Sequence, residues 1–449
     1  MQAQAIPLIS HPGPQQIVAW QDGAAISARQ FLADVAQLSG RLPPGGHMLN
    51  MCSDRYHFAV GLAAAVVSGK VSLLPPSHTA EMISQLQQYA PDVFCLGEQE
   101  QPAIALPQVL YPMAPGAPAD TFSIPQIDSK QRVAVLFTSG STGIPQPHAK
   151  TWGALIHSVT AEAARLGLAG GASYTFIGTV PPQHMYGLES TVLMALHSGN
   201  ALCNQQPFYP ADICQAIAAV PAPGVLISSP VHLRTLFDSG LRPAALALVL
   251  SATAPLSGEL AQKIEACCAA PLLEIYGSTE TGLIATRRPA QGEEWQLLPG
   301  ITLLAQDGQT YAASEFITPP MLMNDIIEST AADRFVLHGR TADLVNIAGK
   351  RNSLSNLNHQ LNSIPGVVDG VFFMPDESRI DHVTRLVAFV VAPALNAPQL
   401  LAALRERMDA VFLPRPLIWV DSLPRNSTGK LQRAVLQALL QSYNARSAT

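Results

Sequence analysis

Four hydroxyl residues and two glycines stand together in Thr138-Ser139-Gly140-Ser141-Thr142-Gly143, directly behind the apolar run 133–137. Hydroxyls and bare backbone N–H groups donate to anionic oxygens, and glycine lets the backbone turn and close on a ligand. A polyphosphate is the natural guest, although an ordinary Ser/Gly turn behind a strand has the same composition. It is not a Walker loop, because no Gly-Lys-Ser/Thr closes it. Ser427-Thr428-Gly429-Lys430 does end in lysine, but Pro424 stands where the first Walker glycine would be. A lysine for phosphate held at Gly140–Gly143 must therefore come from elsewhere in the chain.

Three further loops have the same small, polar character. They are 181–188, reading PPQHMYGL; Ser251-Ala252-Thr253-Ala254-Pro255; and Gly277-Ser278-Thr279-Glu280-Thr281-Gly282. Each follows a run that reads as a strand: 174–179, 244–251 and 272–276. Ligands of open α/β sheets sit at the carboxyl ends of strands, so four such loops together are more specific than any one.

The elements that must hold these loops are legible from periodicity. Strand-like and helix-like segments alternate from residue 16 onward, which predicts an α/β fold with a largely parallel sheet. A helix is expected over 150–166 directly after the glycine loop, and another over 190–197. From about 290 to 340 the character changes, and 295–304 and 311–318 read as strands of a small β subdomain. Beyond Asp343 comes a smaller α+β unit, with strands near 371–374 and 386–391 and helices at 398–411 and 431–443. The expected division is therefore a large domain, 1–342, and a small one, 343–449, hinged near Asp343.

Composition narrows the class. The chain has 449 residues, 48% apolar and 13% charged, as in a well-buried globular enzyme. A net charge of -6 without any Lys/Arg-rich run disfavours nucleic acid as a partner. The longest apolar stretch, 58–67, is too short for a membrane span, and the proline-broken N-terminus has no basic flank of a signal peptide. Six cysteines without CxxC spacing suggest neither a zinc site nor a disulfide framework, and point to reduced thiols in the cytoplasm.

VAVLFTSGSTGIP, YGSTETG, GRTADLVNIAG and LPRNSTGK follow one another in that order. The set resembles the adenylate-forming superfamily of acyl- and aryl-CoA synthetases, adenylation domains of nonribosomal peptide synthetases and luciferases. The resemblance runs from about residue 49 to about 440. It implies a large N-terminal domain, a small mobile C-terminal domain and ATP between them. It also implies two steps: a carboxylic acid is converted by ATP and Mg²⁺ into acyl-AMP and pyrophosphate, and a thiol of coenzyme A or of a carrier protein's phosphopantetheine then takes the acyl group.

Roles carry over position by position. The Thr138–Gly143 loop resembles the phosphate-holding loop, Glu280 the Mg²⁺ ligand, and Thr279 a donor to the α-phosphate. Tyr276 and Gly277 match residues lining the adenine and acyl sites. Asp325, 15 residues before Arg340, is similar to the ribose-binding aspartate with its arginine. His184, in His-x-x-Gly with Gly187, matches the gate between the ATP and acyl sites. Lys430 matches the lysine that the small domain brings to adenylation, and its charge would stabilise the reacting phosphorus. Asp343 resembles the hinge residue, and Gly349 lies where the thiol-facing loop passes. The acid pocket is expected to be lined by Gly187, Leu188 and Thr191, by Ser251, Ala252 and their neighbours, and by Tyr276–Ser278 with Leu283. That mixture suits a flat aryl or medium acyl acid. No carboxylate comparable to the amine-binding Asp of amino-acid adenylation domains can be placed, which disfavours an amino-acid substrate.

The chain departs from the family in places. The glycine loop continues Pro145-Gln146-Pro147 where the family has Pro-Lys-Gly, so the usual lysine is absent; Lys150 is the nearest substitute. Gln183, Asn346 and Asn358 replace an aromatic, a lysine and an acidic residue, and the ribose motif reads Met323-Asn324-Asp325. The short chain is similar to compact ligases that load aromatic starter acids in aryl-polyene pathways. A catalytically silent nucleotide- or acyl-binding homologue of the same fold is the alternative. A serine hydrolase is disfavoured because no Gly-x-Ser-x-Gly occurs.

Overall fold

The computed structural model describes residues 4–112, 114–138, 146–170, 173–221, 223–340, 344–347, 350–375, 385–426 and 429–447. The chain divides into two compact units: Met1–Gly292 with Leu297–Thr302 and Ala312–Met321, and Glu293–Gln296 with Leu303–Tyr311 and Leu322–Thr449.

Two large sheets build most of the first unit. One has the strand order Gln146–Thr151, Arg132–Thr138, Val71–Leu74, His47–Asn50, Phe94–Gly97, Gln108–Leu110. Its strands are parallel except Gln146–Thr151, which runs antiparallel along one edge. The other places Leu272–Ser278, Leu246–Ser251, Gly224–Ser228, Thr175–Gly178, Ala201–Cys203 and Ile17–Gln21 side by side and parallel. Gly282–Arg287 pairs antiparallel with Leu272–Ser278. The helix Arg55–Val67 is buried on nearly every side, with Phe58, Ala59, Val60, Leu62 and Ala63 to Ala65 in the core. A helix apolar all round belongs in an interior. Its core cluster joins Met48, Leu74 and Leu96 of the first sheet to Val18, Phe176 and Leu202 of the second.

The first sheet corrects one sequence expectation. The helix after the glycine loop starts at Trp152, not at 150. Residues Gln146–Thr151 are a strand, and Gln146 pairs with Thr138. The glycine loop therefore joins two antiparallel strands instead of leading into a helix. Pro147 in an edge strand removes no ladder hydrogen bond that an interior strand would need. Thr151 is the helix N-cap, its hydroxyl accepting from Ala154 N at 3.3 Å.

The second unit contains two hairpins, Asp325–Ala331 with Arg334–Arg340 and Leu344–Ile347 with Lys350–Ser353. A three-stranded sheet of Asp369–Phe373, Val387–Val391 and Leu417–Trp419 follows. It packs with the helices Leu354–Asn362, Ala397–Arg405 and Arg433–Ser447. Asp343 and Gly349 lie outside the described residues.

Candidate active site

The parallel strands Thr175–Gly178, Gly224–Ser228, Leu246–Ser251 and Leu272–Ser278 all end at one edge. That edge carries the 181–188, 251–255 and 277–282 loops. Thr138 ends its strand in the other sheet. Ser139, Gly140, Ser141, Thr142 and Gly143 lie outside the described residues.

A short polar chain ties Thr138 to the Glu280 turn. Thr138 Oγ1 shares a hydrogen bond of 2.9 Å with His148 Nε2. The same nitrogen stands 3.6 Å from Glu280 Oε1. Lys150, two residues along the same strand face, donates from Nζ to the Glu280 carbonyl at 3.1 Å. The turn itself is a hairpin: Ser278 pairs with Gly282 across it, and Ser278 Oγ and Thr281 Oγ1 are 3.0 Å apart. Thr279 and Glu280, both half-buried, form its tip. Gly277 has no room for a side chain, since a Cβ there would sit 2.3 Å from the Gly282 carbonyl oxygen.

Electrostatics keep an ionised carboxylate in this cluster, in reach of a cation. Burial pushes the Glu280 carboxyl up, but hydrogen bonds from its own backbone and Ser278 outweigh it. With the charges of His148 and Lys150 they hold it below the usual carboxylate value. Burial lowers Lys150, opposed by Glu189 and Glu280, and burial likewise lowers His148. An ionised carboxylate and the Thr138 hydroxyl are hard oxygen donors, the kind Mg²⁺ takes alongside phosphate oxygens. These residues therefore fit a magnesium–triphosphate pair. The sequence reading missed His148, whose alternation with Lys150 on one strand was hidden by the expected helix.

A cavity of about 230 Å³ opens beside them. Lys150, Ser158, Met185, Glu189, Glu280 and Leu283 are among its lining residues, and Leu155, Leu298, Ile301 and Phe316 make it largely apolar. A dry cavity of about 150 Å³ accepts benzene, so this one has room for a ring with a short substituent.

The expected acid-binding residues divide. Glu280 and Leu283 line the cavity, whereas Ser251, Tyr276 and Gly277 stand at the ends of their strands, and His184, Gly187 and Ala252 in the segments that follow strand ends. Ser251 Oγ and Thr253 Oγ1 are buried there without a hydrogen-bond partner among the described residues. His184 caps the one-turn helix Met185–Gly187. Gly187 packs on the preceding prolines, where a Cβ would fall 2.0 Å from the Pro181 carbonyl oxygen. Leu188 and Thr191 do not face the cavity as expected. Both are fully buried, and Thr191 donates to Gly187 O at 2.5 Å and accepts from Arg55 Nη1 at 2.6 Å. Buried Arg55 also donates to the Gly178 and Val180 carbonyls, bracing the strand end below the His184 loop.

The cavity instead receives Met185 and Glu189. The segment Leu188–Leu193 is a π-helix, a rare wider turn found often at functional sites. It changes which residues share a face, so a 3.6-residue period assigns the wrong ones. Glu189, 1% exposed, is a carboxylate in the cavity lining that the sequence reading did not place.

The remaining predicted residues belong to the second unit. Asp325 lies opposite Arg340 in a hairpin register, so their 15-residue separation makes them cross-strand neighbours. Lys430 is exposed on a turn in which its N–H donates to Asn426 Oδ1 at 2.8 Å. Arg425 steadies that turn with two bonds to Asp369, 2.8 and 2.7 Å, and one to the Gly429 carbonyl, 2.8 Å.

Known proteins share this architecture. The family model described as AMP-binding enzyme matches residues 46–312. The 4-coumarate–CoA ligase of Rhodobacter capsulatus is 31% identical over 307 residues, 67% of this chain and 75% of that protein. That of Halorhodospira halophila is 32% identical over 312 residues, 66% and 74% of the two chains. Among solved structures, the o-succinylbenzoate CoA synthetase of Bacillus subtilis in complex with its acyl-adenylate is 17% identical with a TM-score of 0.80. It covers 97% of this chain and 99% of that one. The same synthetase has also been solved with ATP and a magnesium ion. The chain belongs to the AMP-binding enzyme family and is an AMP-forming acid–thiol ligase.

Proposed function

We propose that this ligase activates an aryl or short acyl carboxylic acid and passes it to coenzyme A. The carrying observation is that Glu280, tied through His148 to Thr138, lines with Lys150 a cavity whose other walls are mostly apolar side chains. The similar ligases named for 4-coumarate support an aryl acid and coenzyme A. A carrier protein's phosphopantetheine is the other acceptor to test. Use of ATP and coenzyme A, with six free thiols, supports a cytoplasmic setting. The aryl-polyene pathway is a narrower form of the same reading.

In the first step an oxygen of the acid attacks the α-phosphorus of ATP, and the bond to the β-phosphate breaks. Thr138 and the Ser139–Gly143 loop hold β- and γ-oxygens, and Thr279 donates to the α-phosphate. Glu280 is the protein's ligand for Mg²⁺, which when bound offsets charge on the leaving pyrophosphate. Lys150 supplies from its strand the charge that Gln146 lacks. Asp325 and Arg340 hold the ribose, Tyr276 and Gly277 flank adenine and acid, and Ser251, Ala252, Gly187 and Leu283 shape the acid site. Lys430 enters with the 343–449 domain and stabilises the pentavalent phosphorus. In the second step the thiol sulfur attacks the acyl carbon and AMP leaves, with His184 at the passage between sites and Asp343 as the pivot.

Incubation with ATP, Mg²⁺, coenzyme A and a panel of aryl and aliphatic acids tests this reading. Formation of AMP and an acyl-CoA, seen by mass spectrometry, is expected for at least one aryl acid. ATP binding by calorimetry without AMP from any acid would instead support the silent homologue.

A further inference from the structure

The Glu189 carboxylate is buried, and neither of its oxygens has a hydrogen-bond partner among the described residues. Its neighbour Glu162 differs, because Ser190 Oγ donates to Glu162 Oε1 at 3.0 Å. Lys150 acts on Glu189 as a charge but makes no hydrogen bond to it, donating instead to the Glu280 carbonyl. Ser158 Oγ, from a neighbouring helix, interacts with Glu189 but makes no hydrogen bond of ordinary geometry among the described residues, and it is likewise buried. Both residues line the cavity. They converge on one spot: a Cβ placed on Gly282 would lie 3.4 Å from Glu189 Oε1, 3.5 Å from Ser158 Oγ and 3.9 Å from the Met185 methyl.

A buried acceptor left empty is costly, and nearly all such groups in folded proteins have partners. Here the partner has to come through the cavity. It cannot be the reacting carboxylate, which Glu189 would repel. We propose that Glu189, assisted by Ser158, binds a hydrogen-bond donor on the acid, a hydroxyl or amino group placed away from its reacting carboxylate. Glu189 is then a specificity-determining residue, and an acid with a purely apolar end leaves it empty. The proposal rests on the reading of this cavity as the acid site. Burial raises the Glu189 pKa to about 7, opposed by Lys150 and Ser158. The group can therefore accept from a neutral donor or an ammonium.

The test compares acids of equal shape. AMP release is measured with 4-hydroxycinnamate against 4-methylcinnamate, 4-hydroxybenzoate against 4-methylbenzoate, and 4-(aminomethyl)benzoate against 4-ethylbenzoate. The wild type should favour the donor-bearing member of at least one pair by roughly tenfold or more in kcat/KM. The pair that wins tells hydroxyl from amine. Glu189→Leu should remove or reverse that preference while still activating the apolar partner, and Glu189→Gln should retain part of it. Because each ratio is internal to one protein, partial loss of folded enzyme does not move it. Activity with equal kcat/KM within every pair, or a ratio unchanged in Glu189→Leu, would overturn the proposal and leave the ligase reading intact. No AMP from any acid would overturn both.

Discussion

Lys150 and Lys430 are assigned to the same phosphates from opposite physical settings. Lys150 is 9% exposed, anchored on an edge strand, its ammonium placed between the Glu280 carbonyl and the charges of Glu189 and Glu280. Lys430 is exposed on a turn whose backbone is clamped by Asn426, Arg425 and Asp369. The first is a fixed part of a wall and contributes to the stability of what surrounds it. The second has its backbone steadied and its side chain outward, as suits a group delivered to a reaction at one stage and withdrawn at the next. Substitution should therefore separate a purely kinetic lysine from one that is both kinetic and structural.

The largest effect expected is on the delivered lysine. Lys430→Ala should lower acid-dependent AMP release by about 100- to 1,000-fold, the usual consequence of losing one preorganised transition-state donor. Its stability should stay within about 0.5 kcal/mol of wild type, as for an ordinary surface change. Denaturant titration beside the rate assay measures both, and a comparable loss of stability would erase the distinction. Lys150→Met should be milder in rate, about tenfold to 100-fold, yet cost about 1 kcal/mol by removing the part-buried bond to the Glu280 carbonyl. A Lys150→Met variant as stable as wild type would show that the wall does not depend on its ammonium.

A further effect concerns pH. Glu189 faces Lys150 and Ser158 on neighbouring elements, and Glu162, on the same helix as Ser158, lies close enough for mutual repulsion. Its folded-state pKa, about 7, lies above the ordinary 4.5. Burial of the neutral form is thus tolerated below 4.5, and stability is lost as pH rises through 7. The full shift corresponds to on the order of 3 kcal/mol. Glu162 is shifted in the same direction by burial and by Glu189, so the wild-type slope contains both. Glu189→Gln should flatten the decline between pH 4.5 and 7, and the difference between the two urea-unfolding profiles reports Glu189 together with its effect on Glu162. Parallel profiles would contradict the assigned shift.

Much of this arrangement was legible beforehand. Buried β-branched runs ending in small polar residues placed the strand ends at Thr138, Ser251 and Ser278 to within a residue or two. The Asp325–Arg340 spacing had a physical cause, a hairpin register, that periodicity did not display. Two features were hidden. Gln146–Thr151 lacks the apolar alternation of a strand and is held by its pairing with Arg132–Thr138. Glu189 sits in an apolar helical run whose one charge reads as a solvent-facing position; only the π-turn and the surrounding packing put it inside. Tertiary contact decided both, and local pattern carries no record of it.

Isotope exchange between pyrophosphate and ATP tests the central assignment most directly, because it requires reversible formation of acyl-AMP and nothing later. Wild-type enzyme with Mg²⁺ and a suitable aryl acid should exchange label, and should stop when the acid is omitted or Lys430 is replaced by alanine. Exchange that proceeds unchanged in Lys430→Ala, or is absent with every acid tried, would contradict the assignment.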